Sequence, residues 1–173
     1  MAKNWASSAY GCTVLDFSSE FESCEAINIL AEDLHEIWSA TEALPQWFCL
    51  CLTQLKNVNS IIIRTIGWHC GHAYGSNPRV VKLHVSADGD NYKLWDTLVA
   101  EEQAAGAQLF CCAPLSTALY PYIVFEVLET FAARSIETGM DDGVLVDSAS
   151  VSASISSDSL VGGITSSTKC STY

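Results

Sequence analysis

The sequence predicts an all-β protein, an antiparallel β-sandwich or jelly roll of about eight strands. Two observations support this fold class: short apolar runs rich in β-branched and aromatic residues, and turn-forming residues between those runs. No long amphipathic helical pattern separates the runs, although residues 31–44 fit either a short helix or a loop with one anchoring tryptophan. The predicted strands are residues 47–52, 58–67, 79–87, 92–99, 107–113 and 120–131.

Within these runs, apolar residues alternate with a period of two, as side chains do on successive positions of a strand. One face of each strand is therefore expected to contact the core, and the opposite face to point outward. The predicted core residues are Phe48, Leu50, Ile61, Ile63, Leu83, Val85, Phe125 and Val127.

The outward faces of two strands are themselves unusually apolar. The outward positions of the first run include Cys49 and Cys51, and those of the last run include Val124 and Leu128. An apolar surface of this kind is typical of a contact site. The four residues are therefore predicted to bind a partner protein or to be covered by the terminal segments.

A hairpin turn is predicted at Asp88 and Gly89, between the strand that ends at Val85 and the strand that begins at Tyr92. Glycine adopts positive φ without a steric penalty, which such a turn requires.

Composition divides the chain into three parts: an N-terminal extension (1–26), the predicted sandwich (27–138) and a serine-rich tail (139–173). The tail cannot build a core of its own. The segment "SVSASIS" within it nevertheless alternates like a strand. The tail is therefore either solvated or docked as an extended segment, on the sandwich or on a neighbouring subunit.

The formal charge of −12, from 20 acidic and 8 basic residues, argues against nucleic acid and anionic membranes as partners. Only 16% of residues are charged and the mean hydropathy is +0.22, which suggests that another protein covers part of the surface. The sequence shows neither a signal-peptide pattern nor a run long enough to span a membrane, so a cytoplasmic location is expected. The eight cysteines form no CxxC pair and are interpreted as reduced, mostly buried thiols.

The stretch "GWHCGHAYG" places His69, Cys70 and His72 close together. A structural metal site needs about four ligands, and the sequence offers no obvious fourth, so no metal and no cofactor are predicted. His69 and Cys70 are adjacent and are expected to point apart, which leaves a poor arrangement for a nucleophilic pair. Asp33, Glu36 and Glu129 are interpreted as solvated carboxylates, because they match a calcium site poorly. No catalytic residue is predicted.

The order of three motifs resembles a known family. Trp38–Ser39, "PQWFCLCL" and "SADGDNYKLWDT" follow one another as they do in discoidin, or coagulation-factor type C, domains of the galactose-binding-like superfamily. The resemblance covers residues 27–131 and implies a galactose-binding-like jelly roll. Extracellular members commonly carry a disulfide between the domain ends, and the cysteines here do not match it, which favours an intracellular type.

The resemblance also implies a non-catalytic binding module rather than an enzyme. Its intracellular members suggest a subunit or adaptor in a multisubunit protein assembly, in the cilium or the cytoskeleton. The alternative is a lectin-like domain that binds carbohydrate or lipid. Because loops at one end of the sandwich usually bind ligands in this superfamily, the predicted recognition residues there are Trp68, His69, His72 and Tyr74.

Overall fold

The computed structural model describes residues 4–31, 36–53, 57–65, 77–100, 106–131 and 150–156. Within these ranges the chain forms nine strands and two short 3-10 helices, Ser8–Tyr10 and Ala26–Leu30. The strands are β1 (Thr13–Phe17), β2 (Trp38–Ser39), β3 (Gln46–Cys51), β4 (Asn57–Thr65), β5 (Pro78–Ser86), β6 (Lys93–Val99), β7 (Gly106–Ser116), β8 (Tyr122–Thr130) and β9 (Ser150–Ser156).

These strands form two sheets. The five-stranded sheet has the order β1-β3-β8-β5-β6, and the four-stranded sheet has the order β2-β9-β4-β7. Every neighbouring pair in both sheets is antiparallel. The predicted all-β sandwich is confirmed, and β2 lies within the segment for which either a short helix or a loop was predicted. None of the helices in the described ranges is long and apolar enough to cross a membrane.

The core lies between the two sheets. Phe48 and Phe125, which pair across β3 and β8, stack with ring centroids 4.8 Å apart, and the edge of Trp38 meets Phe48 at 5.2 Å. All eight predicted core residues are buried, at no more than 3% exposure. The period-two alternation therefore identified the inward face of each of these strands correctly.

The N-terminal segment is attached to the five-stranded sheet through β1. Ser18 exchanges two hydrogen bonds with the backbone of Trp47: its amide donates to the carbonyl oxygen and its Oγ accepts from the amide, both at 2.9 Å. The indole Nε1 of Trp38 donates to the carbonyl of Ser19, also at 2.9 Å. The bonds of Ser18 join the end of β1 to β3, and that of Ser19 joins the segment to β2 of the other sheet.

The tail contributes a strand to the second sheet. β9 pairs with β4 from Ser60↔Ser156 to Arg64↔Ser152, and with β2 at Trp38↔Val151 and Ser39↔Ser150. This is the docked, extended alternative. Residues 150–156 are therefore a strand within the four-stranded sheet and do not cover the outward face of the other sheet.

The turn between β5 and β6 has the predicted conformation, with Gly89 at φ +84°. Asp88 organises this turn as a hydrogen-bond acceptor. Donation from the backbone amide of Asn91, then from the Asn91 side chain, the Asp90 amide and the Ser86 hydroxyl, holds the pKa of the Asp88 carboxyl well below its usual range. The turn is therefore fixed by local contacts and directs the following residue, Tyr92, back toward the sheet.

Gly89→Ala is expected to lower the free energy of unfolding by about 1 to 2 kcal/mol, because alanine is strained at this φ. Space is not the cause, since an added Cβ would lie 3.6 Å from the ring of Tyr122, an ordinary contact distance. Urea denaturation would measure the change. Asp90→Ala in the same turn is the control and should change stability by less than about 0.5 kcal/mol. Equal urea midpoints for Gly89→Ala and Asp90→Ala would contradict the explanation based on the positive φ of Gly89.

The described cysteines are free thiols: Cys12, Cys24, Cys49, Cys51, Cys111 and Cys112. Burial is the main cause that raises the pKa of Cys12 and of Cys112, each to about 12. Both thiols are therefore protonated at neutral pH and unsuited to nucleophilic chemistry.

Candidate functional site

A groove of about 460 Å³ lies on the outer face of the five-stranded sheet, the face that points away from the core. We call it the sheet groove. Its lining residues come from β1, β3, β5, β8 and the turn before β6: Leu15, Asp16, Trp47, Cys49, His84, Gly89, Tyr92, Val124 and Glu126.

Strand register builds the floor of the sheet groove. The pairs Asp16↔Cys49, Cys49↔Val124 and Val124↔His84 form one row of side chains that crosses four strands. The pair Trp47↔Glu126 begins a second row beside it. Because paired residues in antiparallel strands share a face, all of these side chains lie on the outer face.

A β-bulge brings the edge strand into the groove. Val14 pairs with Leu50 and Asp16 pairs with Cys49, so Leu15 is an extra residue on β1. Val14 packs against the core, whereas Leu15 and Asp16 both line the groove. The bulge therefore adds a carboxylate and an apolar side chain to the same wall.

Tyr92 covers the floor from the other side. Its hydroxyl lies 3.4 Å from Sγ of Cys49, and this contact helps to bury Cys49 to 3% exposure. Burial raises the pKa of both groups, and the hydrogen bond between them partly offsets the effect on Cys49. Both side chains are therefore uncharged at neutral pH, and Cys49 is a weak nucleophile.

His84 and Glu126 form the polar part of the groove. The imidazole Nε2 of His84 lies 2.9 Å from Oε2 of Glu126, and both side chains are partly exposed. Asp16 supplies a second carboxylate, whose Oδ1 accepts from the amide of Phe17 at 2.9 Å. The groove thus combines two aromatic rings with three side chains that can form hydrogen bonds to a ligand.

The structure separates the sequence-predicted site residues into three groups. Cys49 and Val124 lie together in the groove. Cys51 and Leu128 are half-buried and lie outside its lining, and Leu128 falls in a bulge where β8 has one residue more than β5. The loop-end candidates Trp68, His69, His72 and Tyr74 lie outside the described residues.

Sequence reasoning missed the polar residues of the groove. His84 lies between the predicted core residues Leu83 and Val85, and Glu126 between Phe125 and Val127, so alternation puts both on outward faces. It gives no sign that the two side chains meet. Asp16 belongs to a segment that was interpreted as a polar extension. The described residues contain no group of His, Cys, Asp and Glu arranged to hold a metal ion.

Comparison with known proteins finds solved structures with a similar fold. No family model matches the sequence, and no curated protein does. A family 32 carbohydrate-binding module from Clostridium perfringens, solved with GalNAc-β-1,3-galactose, has a TM-score of 0.66 at 16% identity. The comparison covers 91% of this chain and 100% of that one. The fold is a galactose-binding-like jelly roll.

Two other solved structures agree with this fold. A family 32 module from Streptococcus pneumoniae gives a TM-score of 0.65 at 14% identity, over 90% of this chain and 100% of that one. A C. perfringens family 32 module in complex with galactose gives 0.61 at 15% identity, over 83% and 92%. The galactose-binding-like jelly roll predicted from the motif order is therefore confirmed.

Proposed function

We propose that this protein is a non-catalytic carbohydrate-binding module and that the sheet groove is its binding site. One observation carries the proposal: the Trp47 and Tyr92 rings lie beside the hydrogen-bonding side chains of Asp16, His84 and Glu126 in a single open groove. A sugar ring has an apolar face of C–H groups and a rim of hydroxyls. Aromatic rings pack against the apolar face, and carboxylates and imidazole form hydrogen bonds with the hydroxyls.

The rigidity of the site supports the same function. The floor consists of paired strands, and Trp47 is held through its backbone by Ser18. A site on packed strands binds with little ordering cost, which matters for small, weakly bound ligands. The solved modules with a similar fold include two in complex with a ligand that contains galactose. These likenesses favour the lectin-like alternative over the protein adaptor.

A non-catalytic role fits the chemistry of the groove. Among the residues that the structure describes, the one thiol in its lining is Cys49, whose pKa is raised by burial. A binding module needs no such nucleophile, and the hydrogen-bonding groups of the groove are sufficient to orient a ligand.

Trp47→Ala is expected to weaken binding of the recognised sugar about tenfold, because the ring that packs on the apolar face of the sugar is removed. The measurement is calorimetric titration with galactose and with N-acetylgalactosamine. Phe21→Ala removes an aromatic ring that is 49% exposed and outside the groove, so it should leave the affinity unchanged.

Three results would contradict this proposal in different ways. Wild-type affinity in Trp47→Ala, together with lost binding in Trp68→Ala, would move the site to the loop-end residues predicted from the sequence. Equal loss in Trp47→Ala and Phe21→Ala would indicate a general loss of structure. Absence of sugar binding in the unaltered protein would overturn the carbohydrate function.

The protein-partner function predicted from the sequence stays a prediction. It requires contacts through the outward residues Cys49, Cys51, Val124 and Leu128 or through the loop-end residues. A cytoplasmic location, in the cilium or on the cytoskeleton, is part of the same hypothesis. Co-purification of the unaltered protein and of Leu128→Asp from native cells would test it.

A further inference from the structure

The two ends of the sheet groove differ in electrostatic balance. At one end, Glu126 lies 2.9 Å from the imidazole of His84 and pairs in register with Lys82 of β5, whose side chain shares the outer face. A carboxylate that is bonded to an imidazole and has a lysine at the paired position of the next strand carries less uncompensated negative potential than an isolated one. That end is therefore close to neutral.

At the other end, Asp16 is an exposed carboxylate on the edge strand. The ion pairs between described residues are Arg79–Glu129 and His84–Glu126, and neither involves Asp16. The negative charge of Asp16 also acts on the floor of the groove, because it is one of the causes that raise the pKa of Cys49. Asp16 therefore supplies a carboxylate beside an aromatic platform and has no cationic partner within the described ranges.

The spacing between the two ends suits a ligand of one or two sugar rings. Asp16 and His84 lie at the ends of a row that crosses four strands, which is three strand spacings or about 14 Å. Trp47 belongs to β3, which lies between the strands of Asp16 and His84, and the hydroxyl of Tyr92 reaches Cys49 in this row. A ring packed on the aromatic side chains can therefore place a substituent next to Asp16.

We infer that the groove prefers a sugar that carries a protonated amine, placed beside Asp16, and disfavours a sugar that carries a carboxylate. The inference rests on the carbohydrate function proposed above and specifies its ligand class. An ammonium group would form a charge-assisted hydrogen bond with Asp16, whereas a second carboxylate would be repelled. A carboxylate accepts several hydrogen bonds, so the bond from Phe17 leaves capacity for the ligand.

The test compares three sugars that differ in charge: galactosamine, galactose and galacturonic acid, with glucosamine, glucose and glucuronic acid as a second series. We expect affinities for the full chain to fall in that order within a series. The amino sugar should bind about three to five times more tightly than the neutral sugar of its series, because an exposed ion pair contributes little to affinity. In 1 M salt this factor should approach one, because the Debye length falls to about 3 Å.

Asp16→Asn identifies the responsible group. The ratio of galactosamine to galactose affinity should fall to about one in this variant, whatever happens to either affinity alone. Glu129→Gln is the matched control, since it removes the same charge from the same sheet but outside the groove lining. It should leave the ratio unchanged.

The outcomes distinguish this inference from the proposed function. Suppose that the sugars bind and that Trp47→Ala weakens their binding. If galacturonic acid then binds as tightly as galactosamine, the inference is wrong and the proposed function stands. The same holds if Asp16→Asn keeps the wild-type ratio of galactosamine to galactose affinity, or if Glu129→Gln lowers this ratio as much as Asp16→Asn does. If no sugar of either series binds, both are overturned.

Discussion

Deletion of residues 139–173 is expected to unfold the sandwich. β9 is an interior strand of its sheet, between β2 and β4, and its removal leaves the backbone groups of one side of β4 without their partners. It also opens the core beside Ile61 and Ile63, which pair with residues of β9 and are almost fully buried. These losses together are comparable with the whole stability of a domain, about 5 to 15 kcal/mol.

Circular dichroism and thermal melting would measure this effect. Deletion of only residues 157–173 is the matched control, because it retains all of β9, and it should keep the cooperative transition of the full chain. A cooperative transition near the wild-type temperature after the longer deletion would show that the two sheets hold together without β9, and would contradict the assigned role of the strand.

Phe125→Ala is expected to lower the free energy of unfolding by about 3 to 5 kcal/mol. The side chain is fully buried, pairs with Phe48 across the middle of the five-stranded sheet and stacks on its ring. Truncation removes this stacking and leaves a cavity that the strands on either side cannot close, since their backbones are fixed by hydrogen bonds.

Urea denaturation would give the free energy for this variant and for Val124→Ala. Val124 is the preceding residue of β8 and faces the groove, so its truncation should cost much less. A loss below about 1 kcal/mol in Phe125→Ala would indicate that the core collapses around the missing ring. Equal losses in the two variants would contradict the assignment of their faces.

The inward faces of the strands could be predicted from the sequence because side-chain direction alternates at every residue. The burial of a side chain depends on which face of its strand contacts the core, and not on which strand lies beside it. This applies to the buried residues Phe48, Leu50, Phe125 and Val127. Local pattern also determined the turn at Gly89, since its conformation depends on neighbouring residues alone.

The sheet groove could not be predicted in the same way. Its floor depends on which residue of β1 lies opposite Cys49 and which residue of β5 lies opposite Val124, and those registers join segments far apart in the chain. β1 itself lacks the apolar alternation of the other strands because it lies at the edge, where four of its five residues are exposed. The strand was therefore assigned to an extension.

The tail shows a related difficulty. The segment 150–156 has the alternation of a strand but is rich in serine, so its composition alone fits a solvated chain equally well. The segment forms a strand because β4 offers it a backbone edge to pair with, on the side that faces away from β7. That edge belongs to the tertiary structure and not to the local sequence.

The bulge at Leu15 has a consequence for association between copies of the protein. β1 is an edge strand with exposed apolar side chains, Leu15 at 53% and Phe17 at 36%, which is the kind of edge on which another chain can add a strand. The extra residue breaks the regular spacing of the outer amides and carbonyls, so an incoming strand cannot pair along the whole edge. The irregularity that turns Asp16 into the groove also protects this edge from aggregation.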